Sequence, residues 1–134
     1  AIDRRRLAAV VFADDTARKK LNAVTHRFVL ERARADIRAL EGAAPAVVFD
    51  APLLFESGFD KECDLTVCVT APAPLRVKRI VARDGISPEN ARRRMDAQIP
   101  DDELVRLCDD EIKNDGTLSS LEAQVDRICR KISE

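Results

Sequence analysis

Hydrophobic positions along the chain follow two different periods. After Thr16, Leu21, Val24, Phe28, Ala33, Ile37 and Leu40 recur every three to five residues, the stripe of an amphipathic helix. Asp15 or Thr16 is placed to cap it, and it should stop near Gly42, with Pro45 barring continuation. Upstream, Asp3 can cap a shorter helix to about Phe12, with Leu7, Val10 and Val11 on its apolar side. The first third therefore reads as an α-hairpin with arginines on its wet face.

The pattern then shortens. Val47-Val48-Phe49, bounded by Pro45 and ended by Asp50 and Pro52, predicts a strand buried on both faces. Residues 64–70 (DLTVCVT) predict a second buried strand, stopped by Pro72 and Pro74. A helix should run from about Pro74 to Arg83, with Leu75, Val77, Ile80 and Val81 inward, until Asp84-Gly85 ends it. Ser87-Pro88 restarts helix to about Gln98, and Pro100 opens another short one. Cys108–Lys113 fits a third short strand, and Asn114-Asp115-Gly116 a turn. Leu118, Leu121, Val125, Ile128 and Ile132 mark a last helix. Strands alternating with helices predict an α/β fold with a parallel sheet, the α-hairpin being a satellite subdomain.

Composition narrows what such a fold could do. A chain of 134 residues fits one domain, and a net charge of −1 provides no general attraction for nucleic acid. With no Trp or Tyr to stack on bases, nucleic-acid binding is the weakest candidate. No apolar run reaches the ~18 residues of a membrane span, and no signal peptide is recognisable. Four dispersed cysteines, Cys63, Cys68, Cys108 and Cys129, suggest reduced thiols in a cytoplasmic protein. Metal-ligand spacings, a GxSxG nucleophile turn and a GxxxxGK[ST] phosphate loop are all missing from the sequence.

Charge is most uneven in residues 76–94, where Arg76, Lys78, Arg79, Arg83, Arg92, Arg93 and Arg94 face only Asp84 and Glu89. A guanidinium pairs two oxygens at once and stays protonated, so arginines on a helical flap suit a polyphosphate. The plainer alternative is a solvated face paired with the acidic run 101–111. Asp50, at the carboxyl end of an expected parallel strand, lies where α/β sheets bind ligands, or else simply begins a turn. His26, mid-helix, has no nucleophile to serve and reads as an ordinary helical residue. Asn114 could meet a base edge or only shape its turn.

Several of these stretches occur together, in one order, in a known family. IDRRRLAAVVF, LNAVTHRF, FDAPLLFES, VKRIVARDG followed by RRMDAQ, and EIKNDG resemble successive segments of dephospho-CoA kinase, a P-loop kinase. FDAPLLFES, matching a D-x-P-L-L-F-E segment, is the most specific. The resemblance implies a three-layer α/β/α P-loop kinase fold with its N-terminal strands absent from this chain. It divides the chain into a helical CoA-binding subdomain, 1–44, and the rest of the kinase core, 45–134, with a helical lid at about 84–107. The implied reaction is magnesium-assisted transfer of the ATP γ-phosphoryl group to the 3′-hydroxyl of dephospho-CoA, the last step of coenzyme A synthesis. Arg83 and Arg94 would then be lid arginines on ATP phosphates, with Gln98 supporting them and Asn114 near the adenine. Arg4 and His26 would lie on the CoA side, Pro52 and Leu53 would shape the substrate pocket, and Asp50 would sit near magnesium and phosphate.

Two departures accompany the resemblance. Arg27 replaces the family's usual proline. The family's phosphate loop and the aspartate that serves as general base would both precede Ala1. The expectation is thus a C-terminal portion of a longer kinase, inactive alone, whose sheet is completed by a missing segment or by self-association. Another P-loop kinase of nucleotides or metabolites, or a non-catalytic binding module descended from one, are the alternatives.

Overall fold

The computed structural model describes residues 2, 3, 6, 7, 10, 11 and 14–133. The chain divides into two compact units, Ala1–Lys61 and Glu62–Glu134. Each holds its own buried apolar residues: Ala33 and Phe59 in the first, Cys68, Ala91, Ile112 and Ile128 in the second.

The first unit is dominated by α1, Asp15–Ala39. Its cap is Asp14, not Asp15 or Thr16: the Asp14 carboxylate accepts the Thr16 N–H at 2.7 Å. Extended backbone at Asp14 points the carboxylate at the unpaired N–H groups of the first turn. Leu40 closes the helix, and Gly42 takes the left-handed conformation at φ +74°. Only part of the predicted stripe is covered: Ala33 is buried, Leu21 and Ile37 are half-buried, and Val24 and Phe28 are exposed. Ion pairs Arg27–Glu31 and Arg32–Asp36 brace the wet side.

The strand expected at Val47–Phe49 is not formed. Residues 46–50 are without regular structure, no described strand pairs with them, and Val48 is 87% exposed. A run of β-branched residues favours extended backbone, but burial on both faces needs neighbouring strands and covering helices. Phe49 alone is anchored, its ring 4.8 Å from that of buried Phe59 and inclined by 58°. Arg34 lies 5.8 Å from the Phe59 ring centre. Helix α2, Leu54–Ser57, leads into Phe59 through Gly58 at φ +74°.

The second unit carries the sheet. Strands β1, Val67–Thr70, and β2, Asp110–Lys113, pair in parallel, with Val67 opposite Asp110 and Thr70 opposite Lys113. Three helices connect them: α3, Ala73–Asp84; α4, Pro88–Asp96; and α5, Asp101–Leu107. The last helix, α6, is Leu118–Ser133. Burial alternates along β1: Thr66, Cys68 and Thr70 are buried while Val69 is exposed. One face is covered and the other open, rather than both buried as the apolar run suggested.

Buried hydroxyls on β1 are satisfied by acids beside β2. Asp109 accepts both the Thr66 N–H and its hydroxyl at 2.7 Å, and Thr70 donates to Glu111 at 2.6 Å. The Thr66 bonds hold the Asp109 carboxyl below its usual range. Arg127 and Lys131 of α6 reach Asp110; the Arg127 fork bonds it at 2.8 and 2.9 Å and pulls its carboxyl well below the ordinary carboxylate range. The Gln124 amide meets both backbone groups of Lys113, accepting its N–H at 2.8 Å and donating to its carbonyl at 3.0 Å. That occupies one end of an edge strand with a side chain.

Candidate functional site

In the second unit the candidate site grows from the ends of the two strands. Both stop at one edge, Thr70 and Lys113, and an open cavity of about 380 to 530 Å³ scale is found in each unit; the one at this edge measures about 530 Å³. Its wall includes Thr70, Pro72, Asp101, Glu111, Lys113 and Asp115. The carboxyl ends of parallel strands are the usual ligand edge of an α/β sheet. Asn114 sits just past β2, its N–H bonded to the Thr70 carbonyl at 2.8 Å and its own carbonyl accepting from Arg79 at 2.8 Å. Four carboxylates, Asp101, Asp102, Glu111 and Asp115, beside one lysine make that wall unsuited to phosphate; cationic chemistry lies on the helices that follow.

Pro72 and Pro74 set the start of α3, and Gly85 at φ +64° ends it, its N–H on the Val81 carbonyl. Ser87 then accepts the Asn90 N–H at 3.2 Å and Pro88 fills the first turn, so α4 begins at once. The two helices pack together, and the one buried residue of α4 is Ala91, 0% exposed.

This turn brings Arg83 and Arg94 to a single carboxylate. Arg83 donates Nε to Asp84 Oδ1 at 2.7 Å and Nη2 to Oδ2 at 3.1 Å; Arg94 donates Nη1 to the same Oδ2 at 2.8 Å. The Asp84 side chain is 22% exposed, against 76% for Arg83 and 59% for Arg94. The Arg83 bonds, then the charges of Arg83 and Arg94, hold the Asp84 carboxyl below its ordinary range, and Asp84 raises Arg83 further. Two permanently charged forks thus converge on one oxygen, and the trio carries net charge +1. Arg76 ion-pairs with Asp101, and its Nη2 donates to Gln98 at 3.3 Å. Arg93 pairs with Glu89 on its own helix. Arg76 thus pairs with the acidic run 101–111, Arg93 pairs within its own helix, and Arg83 and Arg94 are gathered on Asp84.

The remaining expected residues lie in the first unit. His26 is on α1, half-buried, and among the described residues its Nε2 is buried without a hydrogen-bond partner. Asp50 is exposed, and no hydrogen bond joins it to His26. Pro52 and Leu53 form an exposed turn before α2. Arg4 lies outside the described residues. Among the described residues, no group of three or more His, Cys, Asp or Glu could hold a metal ion.

Comparison with known proteins decides the family. The dephospho-CoA kinase family model matches residues 1–120. The chain belongs to the dephospho-CoA kinase family. A dephospho-CoA kinase of Syntrophotalea carbinolica is 40% identical over 126 residues, 93% of this chain and 60% of that protein. One from Corynebacterium glutamicum is 37% identical over 132 residues, covering 98% of this chain and 66% of its own length. The crystal structure of TT1252 from Thermus thermophilus matches 96% of this chain and 66% of its own, at TM-score 0.82 and 36% identity. Dephospho-CoA kinase from Campylobacter jejuni matches at TM-score 0.68 and 30% identity, over 98% and 66%. The chain spans 60 to 66% of the length of these relatives. Its α/β architecture with a parallel sheet is that of the family's kinase fold.

Two juxtapositions escaped the sequence argument. Asp84 counted only as a charge against the cluster and a helix stop, yet it is what Arg83 and Arg94 share. Its position, next to one arginine and across a glycine turn from the other, was the available signal. Cys68 and Cys108, forty residues apart, are neighbours in the fold: burial, then Cys108, pushes the Cys68 thiol up to about 11.

Proposed function

We propose that the protein phosphorylates the 3′-hydroxyl of dephospho-CoA with ATP, giving coenzyme A. The convergence of Arg83 and Arg94 on one carboxylate carries this reading, because the same pair of forks suits an oxygen of a phosphate. Phosphoryl transfer asks little covalent chemistry of a protein; it asks for positioning and for charge aimed at the oxygens where negative charge builds. Arg83 and Arg94 are assigned that task. Gln98, bonded to Arg76, is assigned to support the lid at about 84–107, and Asn114, pinned to β1 and α3, the adenine.

In the same reading, residues 1–44 form the CoA-binding subdomain and 45–134 belong to the kinase core. Arg4 and His26 bind on the CoA side, the buried and unpartnered Nε2 of His26 being the polar atom that supports the assignment. Pro52 and Leu53 line the substrate pocket. Asp50 is kept as the carboxylate near magnesium and phosphate. Magnesium would enter as the counter-ion of ATP, since the described residues make no ion site. We place the protein in the cytoplasm, where its free cysteines would stay reduced.

The test is ADP release by the full-length gene product, with ATP and dephospho-CoA, compared with adenosine and other nucleosides as acceptors. Turnover confined to dephospho-CoA is expected, and Arg94→Ala should lower kcat by about 100-fold, the loss typical of a transition-state donor. Equal turnover with unrelated nucleosides would return the protein to a general nucleoside kinase, and none with any acceptor to a binding module.

A further inference from the structure

The proposed function gives Asp84, at the start of the lid, no task. Asp84 cannot help to bind phosphate, and beside Arg83 and Arg94 its charge opposes ATP. Nor is it a typical surface partner. Arg93–Glu89 and Arg106–Asp102 are spaced pairs on single helices with both members exposed, the kind that contributes little. Asp84 is exposed as a whole residue, but its side chain is 22% exposed and accepts three bonds from arginines on two helices, across the left-handed turn at Gly85.

We infer that Asp84 is a positioning residue: its carboxylate fixes the guanidinium planes of Arg83 and Arg94 while leaving most of their donors for phosphate. The inference rests on the lid role proposed above for the two arginines. Each guanidinium has five N–H donors in a rigid fork, and the three bonds to Asp84 engage the Nε edge of Arg83 and one terminal nitrogen of Arg94. The rest stay available. Long, exposed side chains lose much rotamer freedom when they clamp a ligand. Arginines already held on a carboxylate have lost part of it beforehand, and their charge is aimed before ATP arrives. Asp84 also fixes one end of α4 to the end of α3 through Arg94, so the orientation of the forks and the angle of the lid helices are set by one contact.

The experiment is a double-mutant cycle in the full-length protein, reading kcat and KM for ATP with dephospho-CoA as acceptor. Its members are wild type, Asp84→Ala, Arg94→Ala and the double variant, with Asp84→Asn as the near-isosteric member should the alanine variant fold poorly. Loss of aim without loss of positive charge should lower kcat on the order of 10- to 100-fold, while KM for ATP stays level or falls. In the Arg94→Ala background the same change should do less, because only the part of the effect that acts through Arg83 remains. Losses that multiply independently in the double variant, or a rise in kcat/KM on removing Asp84, would overturn the inference. The first makes Asp84 a general structural residue, and the second makes it a brake that competes with phosphate. Absence of turnover in the wild type would instead refute the kinase reading, so the two failures are distinguishable.

Discussion

Ala91 offers the sharpest test of how α3 and α4 are held. It is the one buried residue of α4, at 0% exposed, and α4 packs on α3. Ala91→Leu adds three carbons. If space were available, burying them would stabilise by about 2 kcal/mol, at roughly 0.8 kcal/mol per methylene. Helix propensity does not decide the sign, because Ala and Leu are close on that scale. With no exposed surface at the alanine, the carbons have to push the helices apart, and overpacking of this kind costs about 1–3 kcal/mol. Splaying should also draw Arg94, one turn further along α4, away from Asp84. Ala91→Gly is the control: it loses a methyl and about 1 kcal/mol of helix propensity but forces nothing apart. Urea unfolding followed by far-ultraviolet circular dichroism gives the stabilities, and kcat with dephospho-CoA reports the arginine geometry. Both variants should be less stable than wild type, and only the leucine variant should lose turnover beyond its loss of folded protein. A leucine variant as stable as wild type would refute the claim that the helices are in close contact at Ala91.

Three further outcomes follow from the packing. Phe59→Ala, which empties a buried site and removes the partner of Phe49, should destabilise by about 3–5 kcal/mol in urea unfolding; Phe59→Leu should cost clearly less. Gly85→Ala should cost about 1–2 kcal/mol through backbone strain alone, since φ is +64° and an added Cβ meets nothing within 4 Å; Gly85→Asn should lose less, and a neutral alanine variant would show that the turn readily leaves the left-handed region. Cys68 supplies a pH test. Burial favours its neutral thiol, so the native state holds a proton that the unfolded chain releases; this contribution is complete below pH 9.0 and is lost as pH rises towards about 11. Wild type should lose stability over that window more steeply than Cys68→Ala, which subtracts the lysines common to both, and exposed Cys129 should alkylate before Cys68. Parallel alkaline slopes in the two proteins would exclude Cys68 as the source.

Local rules determined most element boundaries. Prolines 72, 74, 88 and 100, the serine cap at 87 and the glycine at 85 mark where helices begin and end, and the observed spans differ from those expected by one or two residues. Such signals act within a few residues and need no partner. The family was legible for a related reason, since its motifs are contiguous strings. What required distant partners was not legible. Val47-Val48-Phe49 has strand composition, but composition cannot provide a neighbouring strand, and none of the described residues does. The open face of β1 follows from the placement of α5 and α6 on the sheet rather than from the apolar character of its residues. Seven cationic residues in 76–94 suggested an anion site as an expectation, yet not which of them would come together. Arg93–Glu89 is a local i,i+4 pair and Arg83–Asp84 are neighbours in the chain, but tertiary structure made the other choices: Arg76 faces Asp101, and the fold of α3 against α4 brings Arg94 to the Asp84 that Arg83 already holds. Sequence determined the charges and the breaks between helices; the angle at which two helices meet decided which charges share an oxygen, because a hydrogen bond depends on distances that no spacing along the chain encodes.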